Sequence, residues 1–260
     1  MFQRTLILLA AALVAFQPTF ASAQSRLPPK SRPAVQPVRS GALEESEEVD
    51  KSEKKAKAPF ADEIAAFEKH DAKAMPAKGG VVFLGSSSIR MWSDLAHDFP
   101  GQNVINRGFG GSTIPDSVRY VDRIVTPLAP RTIVFYAGDN DLDAGHSPAA
   151  VLSDFQALVA KVHTKLPSAK ILFVAIKPSP ARWRLVEEIR TTNSLVRDYA
   201  ANDPSLGFVD IFPAMLGSDG KPRPELYRED GLHMTRAGYE IWRDAVATAL
   251  TVPATGKPGR

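Results

Sequence analysis

The chain has no cysteine among its 260 residues. Disulfides, thiolate zinc sites and a cysteine nucleophile are therefore excluded, as is a lipobox-type lipid anchor. The five histidines are scattered, with no HExxH or other close metal-ligand pair. No GxxxxGK(S/T) phosphate loop occurs, which excludes a P-loop enzyme. GxSxG is missing too, and with it the nucleophile elbow of the α/β-hydrolases. Charge of one sign is not in large excess: 32 Lys and Arg face 29 Asp and Glu. The surplus lies outside the body of the chain. Arg4 stands near the start, and Arg26, Lys30, Arg32 and Arg39 follow in a stretch without acidic residues, whereas the two signs balance from Pro59 onward. A basic domain built for nucleic acid is thus not indicated, and no nucleic-acid partner is expected.

What is present begins with a leader. Residues 1–23 have the form of a secretory signal peptide: Arg4 supplies the positive start, Leu6–Phe16 the apolar stretch, and Ala21-Ser22-Ala23 the small-residue cleavage pattern. The apolar stretch is too short for a comfortable membrane span. Export to the periplasm or the medium is expected, with cleavage near Ala23. Residues 24–58 read as a disordered linker. Pro28, Pro29, Pro33 and Pro37 punctuate its first half, and the second half is charged and almost free of large apolar residues. Such a segment buries too little surface to offset its chain entropy. Weak contact between its basic half and an anionic envelope surface is the one partner role it suggests.

Residues 59–252 carry the pattern of one globular domain, with 253–260 as a flexible tail. Short apolar runs fit strands buried on both faces: Val81–Leu84, Asn103–Asn106, Thr132–Ala137, Ile171–Ile176 and Phe208–Ile211. Between them lie helical patterns over Asp62–Ala72, Ile89–Phe99, Pro115–Leu128, Ala149–Leu166 and Ala181–Ala201, with Thr235–Leu250 closing the chain. Alternation of this kind predicts an α/β fold, a three-layer α/β/α sandwich with a five-stranded parallel sheet.

In a parallel sheet the loops after the strands share one edge, where ligands bind. Those loops here hold Gly85-Ser86-Ser87-Ser88, then Asn106-Arg107-Gly108-Phe109-Gly110-Gly111-Ser112, then Gly138-Asp139-Asn140-Asp141, and finally Asp230-Gly231-Leu232-His233. Together they are the parts of a serine hydrolase. Serine is a weak nucleophile and needs a neighbouring base. Histidine suits that task near neutrality, and a carboxylate three residues away can orient it. A developing oxyanion needs donors of the kind that backbone N–H groups and an asparagine amide supply.

This set resembles the SGNH, or GDSL-type, hydrolase family. GSSS stands where the family has Gly-Asp-Ser, NRGFGG at its glycine block, GDND at Gly-x-Asn-Asp and DGLH at Asp-x-x-His, all in the family's order. The resemblance spans about Val81–His233 and implies a flavodoxin-like fold and ester hydrolysis without metal or organic cofactor. It implies Ser87 as nucleophile, His233 as general base and acid, and Asp230 as its orienter. The oxyanion donors would be the N–H groups of Ser87 and Gly111 and the side-chain amide of Asn140. Ser86 replaces the family's usual aspartate, which is not its catalytic acid. Adjacent side chains on a strand point to opposite faces, so the three serines cannot all reach one base; the Gly-x-Ser pattern selects Ser87.

Other features carry less. Asp139, Asp141 and Asp143 evoke a calcium loop, but its glycine falls late, at Gly145, and Ala150 stands where the loop needs glutamate. Trp92, Trp183 and Trp242 could wall an acyl or sugar pocket, though core or rim packing is the commoner use. The substrate expected is a small or polymer-borne ester, with short acyl chains favoured. The alternative is a non-catalytic envelope glycan- or lipid-binding module on the same frame. Deletion of residues 1–57 is expected to leave a soluble, active protein, because that segment supplies almost no core residues. Aggregation or inactivity of the shortened chain would show that the segment packs on the domain.

Overall fold

The computed structural model describes residues 58–251. The leader, almost all of the linker and the tail lie outside these residues. The elements run α1 (Ala61–Lys73), β1 (Val81–Gly85), α2 (Ser87–Arg90), α3 (Leu95–Asp98), β2 (Val104–Gly108), α4 (Ile114–Ile124), β3 (Thr132–Tyr136), α5 (Asp139–Asp143), α6 (Pro148–Lys165), β4 (Lys170–Val174), α7 (Val186–Ala201), β5 (Leu206–Val209) and α8 (Arg236–Thr251). No helix among the described residues is long and apolar enough to cross a membrane.

The five strands form one sheet in the order β2-β1-β3-β4-β5, every pairing parallel. Successive side chains on a strand alternate faces, and here both faces are covered. Val82, Leu84, Ile133, Phe135, Ile171 and Phe173 join a core with residues of α1, α4, α6 and α7. Val81, Phe83, Val134, Tyr136, Leu172 and Val174 join a second core with residues of α2, α3 and α8. Double burial is why the strands read as unbroken apolar runs. The three-layer α/β/α sandwich expected from the sequence is the fold observed.

Several boundaries differ, each for a local reason. The helix expected over Ile89–Phe99 is two short pieces, α2 and α3, bridged by Trp92. Trp92 packs on Phe83, Phe99 and Trp242 and donates its indole N–H to Asp98 at 2.7 Å. α4 stops at Ile124, and Thr126–Leu128 continues as a 3₁₀ turn around Pro127. The long helix expected from Ala181 begins only at Val186, after a 3₁₀ turn over Pro180–Leu185. GDND, expected as a loop, opens a short helix of its own, α5. Trp92 and Trp242 are buried in the core, Trp92 also edging a cleft with Phe67, Leu95 and Asn106, whereas Trp183 is half-buried in the Pro180–Leu185 turn.

Two ion pairs tie elements distant in sequence. Arg107 of β2 holds both carboxylate oxygens of Asp71 at 2.6 and 2.7 Å and donates Nε–H to the Ile124 carbonyl at 3.0 Å. The site is buried, so loss of one partner would strand the other charge. Arg236, at the start of α8, grips Asp98 at 2.7 and 2.6 Å.

Order β2-β1-β3 means that the chain leaves β1 towards one edge and returns to the other side of β1. Crossovers change direction between β1 and β3, and crevices of this kind receive ligands. β1 reaches that crevice at Gly85, whose φ is 143°, and a Cβ there would stand 1.9 Å from the Tyr136 carbonyl oxygen. Gly85→Ala is expected to lower stability by roughly 3 kcal/mol or more, combining backbone strain with overpacking. Equilibrium urea unfolding measures it, and a loss below about 1 kcal/mol would contradict the close approach.

Candidate active site

The turn out of β1 sets the geometry of the three serines. Ser86 N–H donates to the Tyr136 carbonyl at 3.0 Å, which keeps the chain against β3. Ser86 is then the last extended residue, and helix α2 begins at Ser87. The side chains are therefore separated by helical geometry rather than by the strand alternation expected from the sequence. Ser86 and Ser88 are buried, and Ser87 is half-buried. Ser88 Oγ accepts from Lys177 Nζ at 3.2 Å. Ser86 Oγ is buried without a partner.

Ser87 Oγ lies 2.9 Å from His233 Nε2, and His233 Nδ1 lies 2.6 Å from Asp230 Oδ2. Asp230 and His233 belong to one tight segment after β5. Gly231 takes φ 62° there, and its N–H donates to the Arg228 carbonyl at 2.8 Å. The other carboxylate oxygen, Oδ1, accepts the backbone N–H groups of Leu232 and His233, both at 2.9 Å. Desolvation works against charge on Asp230, but the His233 side chain and those two N–H groups outweigh it and hold the carboxyl at about 2. An ionised carboxylate only accepts hydrogen bonds. Nδ1 must then carry the imidazole proton, and in the neutral ring Nε2 is left with its lone pair towards Ser87. The Asp-x-x-His spacing thus leaves a neutral imidazole able to accept a proton at Nε2.

The glycine block lies beside this pair. Gly85 O accepts from Phe109 N–H at 3.0 Å and from Ser112 Oγ at 3.4 Å. Asn106 braces the same turn: its amide donates to the Ile89 carbonyl at 2.7 Å and its oxygen accepts from Gly108 N–H at 2.8 Å. Gly111 is exposed, and a Cβ on it would meet only Asn140 Nδ2, at 3.8 Å. The structure therefore brings Gly111 and Asn140 together, as the sequence suggested. Asn140 Nδ2 donates one hydrogen to the Ser112 carbonyl at 3.1 Å. An amide nitrogen has a second hydrogen, which this bond leaves available.

Two cations absent from the sequence reading stand behind Asn140. Lys177, 1% exposed, donates to Ser88 Oγ, to Tyr136 OH at 2.9 Å and to Asp139 Oδ2 at 3.1 Å. Burial opposes charge on Asp139, yet the Lys177 ammonium and then the Arg182 guanidinium hold its carboxyl below the usual range. Arg182 donates to the Asp139 carbonyl at 2.6 Å and to Asn140 Oδ1 at 3.3 Å. Neither residue belongs to a recognisable motif. Their one sequence signal is position just past the carboxyl end of β4.

The three aspartates of the calcium-like pattern diverge. Asp139 faces Lys177, Asp141 accepts from Ile114 N–H at 3.0 Å, and Asp143 pairs with Arg182 and Arg184. Among the described residues, Asp141, His146 and Asp154 offer ligand atoms that lie within 4.8 Å of one another. Burial lifts the Asp141 carboxyl to about 6.

Residues 80–241 match the sequence profile of the GDSL-like lipase/acylhydrolase family. The chain belongs to that family. GDSL-like acylhydrolases are ester-hydrolysing enzymes, and this is the enzyme class of the chain. It is similar to the platelet-activating factor acetylhydrolase IB subunit alpha1 of Bos taurus, at 28% identity over 172 residues covering 61% of this chain and 69% of that one. The alpha2 subunit of Rattus norvegicus is 25% identical, over 61% of this chain and 70% of that protein. Among solved structures, a GDSL-like lipase from Bacteroides thetaiotaomicron aligns with TM-score 0.61 at 21% identity, covering 72% of this chain and 96% of that one. A carbohydrate esterase family 3 protein from Talaromyces cellulolyticus aligns with TM-score 0.53 at 15% identity, over 69% and 100% of the two chains. Both share the α/β/α fold of this GDSL-like chain.

The electrostatics of the Asp-His pair give a test. A carboxyl held at about 2 stays ionised down to strongly acid pH. Asp230 therefore stays charged through the neutral range and adds no step of its own to the pH dependence of kcat there. Asp230→Asn keeps an oxygen for the two backbone N–H groups but turns an amide towards Nδ1. It is expected to cost on the order of 10³–10⁴-fold in kcat through the wrong tautomer, with little change in melting temperature. Near-native kcat in this variant would remove Asp230 from the orienting role.

Proposed function

We propose that this protein is an exported serine esterase that hydrolyses carboxylic esters of short acyl groups through an acyl-serine. The observation that carries the reading is the unbroken contact chain from Ser87 Oγ to His233 Nε2 at 2.9 Å and from His233 Nδ1 to Asp230 Oδ2 at 2.6 Å. In the proposed sequence, His233 Nε2 takes the Ser87 proton as Oγ attacks the ester carbonyl. The carbonyl oxygen gains the electron pair and meets the N–H groups of Ser87 and Gly111 and the free amide hydrogen of Asn140. Collapse re-forms the carbonyl, and His233 passes its proton to the departing alcohol. A water deprotonated by His233 then attacks the acyl-serine, and the acid leaves as Ser87 recovers its proton. Each proton moves between substrate, water and side chains, so no metal is required by these steps.

Short acyl groups are favoured because the relatives include acetylhydrolases by name. The leader pattern of residues 1–23 supports export, and Arg26, Lys30, Arg32 and Arg39 would add weak contact with an anionic envelope surface. Recovery of the full-length chain from the cytoplasm would count against export.

A fluorophosphonate probe with peptide mapping is expected to label Ser87. Ser87→Ala should lose on the order of 10⁴-fold or more in kcat on p-nitrophenyl acetate, while Ser86→Ala and Ser88→Ala keep measurable turnover. Label on Ser86 or Ser88, with Ser87→Ala still reactive, would overturn the nucleophile. A folded wild-type protein with no turnover on acetyl, longer acyl or glycan esters would favour the binding module instead.

A further inference from the structure

An asparagine side chain is a useful oxyanion donor only when its nitrogen faces the reacting carbonyl. Rotation by half a turn exchanges nitrogen for oxygen, leaves the shape unchanged and sets a lone pair against the developing negative charge. Something must therefore select one face of the Asn140 amide. Two neighbours do so here, and both choose the same face. The Ser112 carbonyl can only accept, and it takes a hydrogen from Nδ2 at 3.1 Å. The Arg182 guanidinium can only donate, and its Nη2 meets Oδ1 at 3.3 Å.

Arg182 is itself firmly held. Its Nη1 donates to the Asp139 carbonyl at 2.6 Å, and its Nη2 lies 3.2 Å from Asp143 Oδ2. Its side chain is 12% exposed. These contacts bracket Asn140, because Asp139 and Asp143 are the two ends of α5. The 3₁₀ turn that carries Arg182 also touches the catalytic loop, where Ala181 N–H donates to the Gly231 carbonyl at 3.0 Å. One short segment after β4 thus contacts both the helix bearing Asn140 and the loop bearing Asp230 and His233.

We infer that Arg182 is a positioning residue for hydrolysis: its guanidinium locks the Asn140 amide with Nδ2 towards the oxyanion and polarises that amide as a donor. The inference rests on the oxyanion role given to Asn140 above. A donor bond from a charged group to Oδ1 strengthens the opposite N–H through the conjugated amide. The contribution should appear as charge develops in the transition state, hence in kcat rather than KM.

The test is a double-mutant cycle on p-nitrophenyl acetate with Arg182→Ala, Asn140→Ala and the pair, kcat being normalised to sites titrated with a fluorophosphonate. Asn140→Ala should lose about 10²–10³-fold in kcat, as removal of one oxyanion donor does. Arg182→Ala should lose about tenfold in kcat with KM nearly unchanged, and Arg182→Lys should recover part of that loss. In the Asn140→Ala background, removing Arg182 should cost less than about twofold, since the group through which it acts is gone. An equal loss from Arg182→Ala in both backgrounds would overturn the inference and leave a general structural role. Full kcat in Arg182→Ala would overturn it as well. Full kcat in Asn140→Ala would instead overturn the oxyanion reading, and the inference with it. Should Arg182→Ala fail to fold, the same cycle is run with Arg182→Lys, which keeps the charge but not the guanidinium geometry; equal loss in both backgrounds is again the overturning result.

Discussion

The peptide of Gly85 is the constraint on which the site depends. It sits at the end of the sheet's inner strand β1, between β2 and β3, and three segments converge on it. The following residue, Ser86, donates to β3 through the Tyr136 carbonyl, while the Gly85 carbonyl accepts from Phe109 and Ser112 of the glycine block. No room is left for a side chain: a Cβ at Gly85 would lie 1.9 Å from the Tyr136 oxygen. This close backbone contact puts the start of α2, and so Ser87, at the crevice between β1 and β3. The same contact fixes the glycine block relative to Ser87.

Charge is distributed to serve that arrangement. Buried ion pairs lie under the loops rather than in the reacting centre. Lys177 with Asp139 lies against Ser88, and Arg107 with Asp71 joins β2 to α1. Pairs of this kind contribute little net stability against an apolar replacement, but they tolerate poorly the loss of one member. Their physical effect here is to specify which surfaces meet. The carboxylate proposed to orient His233 is treated differently. Asp230 is half exposed and receives three hydrogen bonds, so solvent and donors stabilise its charge without a buried counter-ion.

The sheet and its four chemically active segments were legible in the sequence because each is local. Doubly buried strands give unbroken apolar runs, and Asp-x-x-His or Gly-x-Asn-Asp are spacings within a single turn. Ser87, Gly111, Asn140, Asp230 and His233 all come from such segments. What escaped was non-local. Lys177 reaches Ser88 across 89 positions of sequence, and Arg182 reaches Asn140 across 42; no periodicity encodes either contact. Trp92 was ambiguous for a related reason. Its burial depends on Phe83, Phe99, Tyr239 and Trp242, which arrive from three different elements or turns. Helix starts were misread where proline and 3₁₀ turns intervene, as at Pro180–Leu185, because side-chain spacing alone does not distinguish the tighter winding.

Asp230 and His233 travel on one short loop, while Ser87 is anchored to the sheet. The proposed Ser87-His233-Asp230 assembly therefore has a single joint. Any displacement of the loop would carry the proposed orienter and base together, leaving their mutual alignment unchanged. Only the 2.9 Å gap between Ser87 Oγ and His233 Nε2 registers the displacement. Positional error does not accumulate over three independent parts, so one distance serves as the gauge of whether the machinery is engaged.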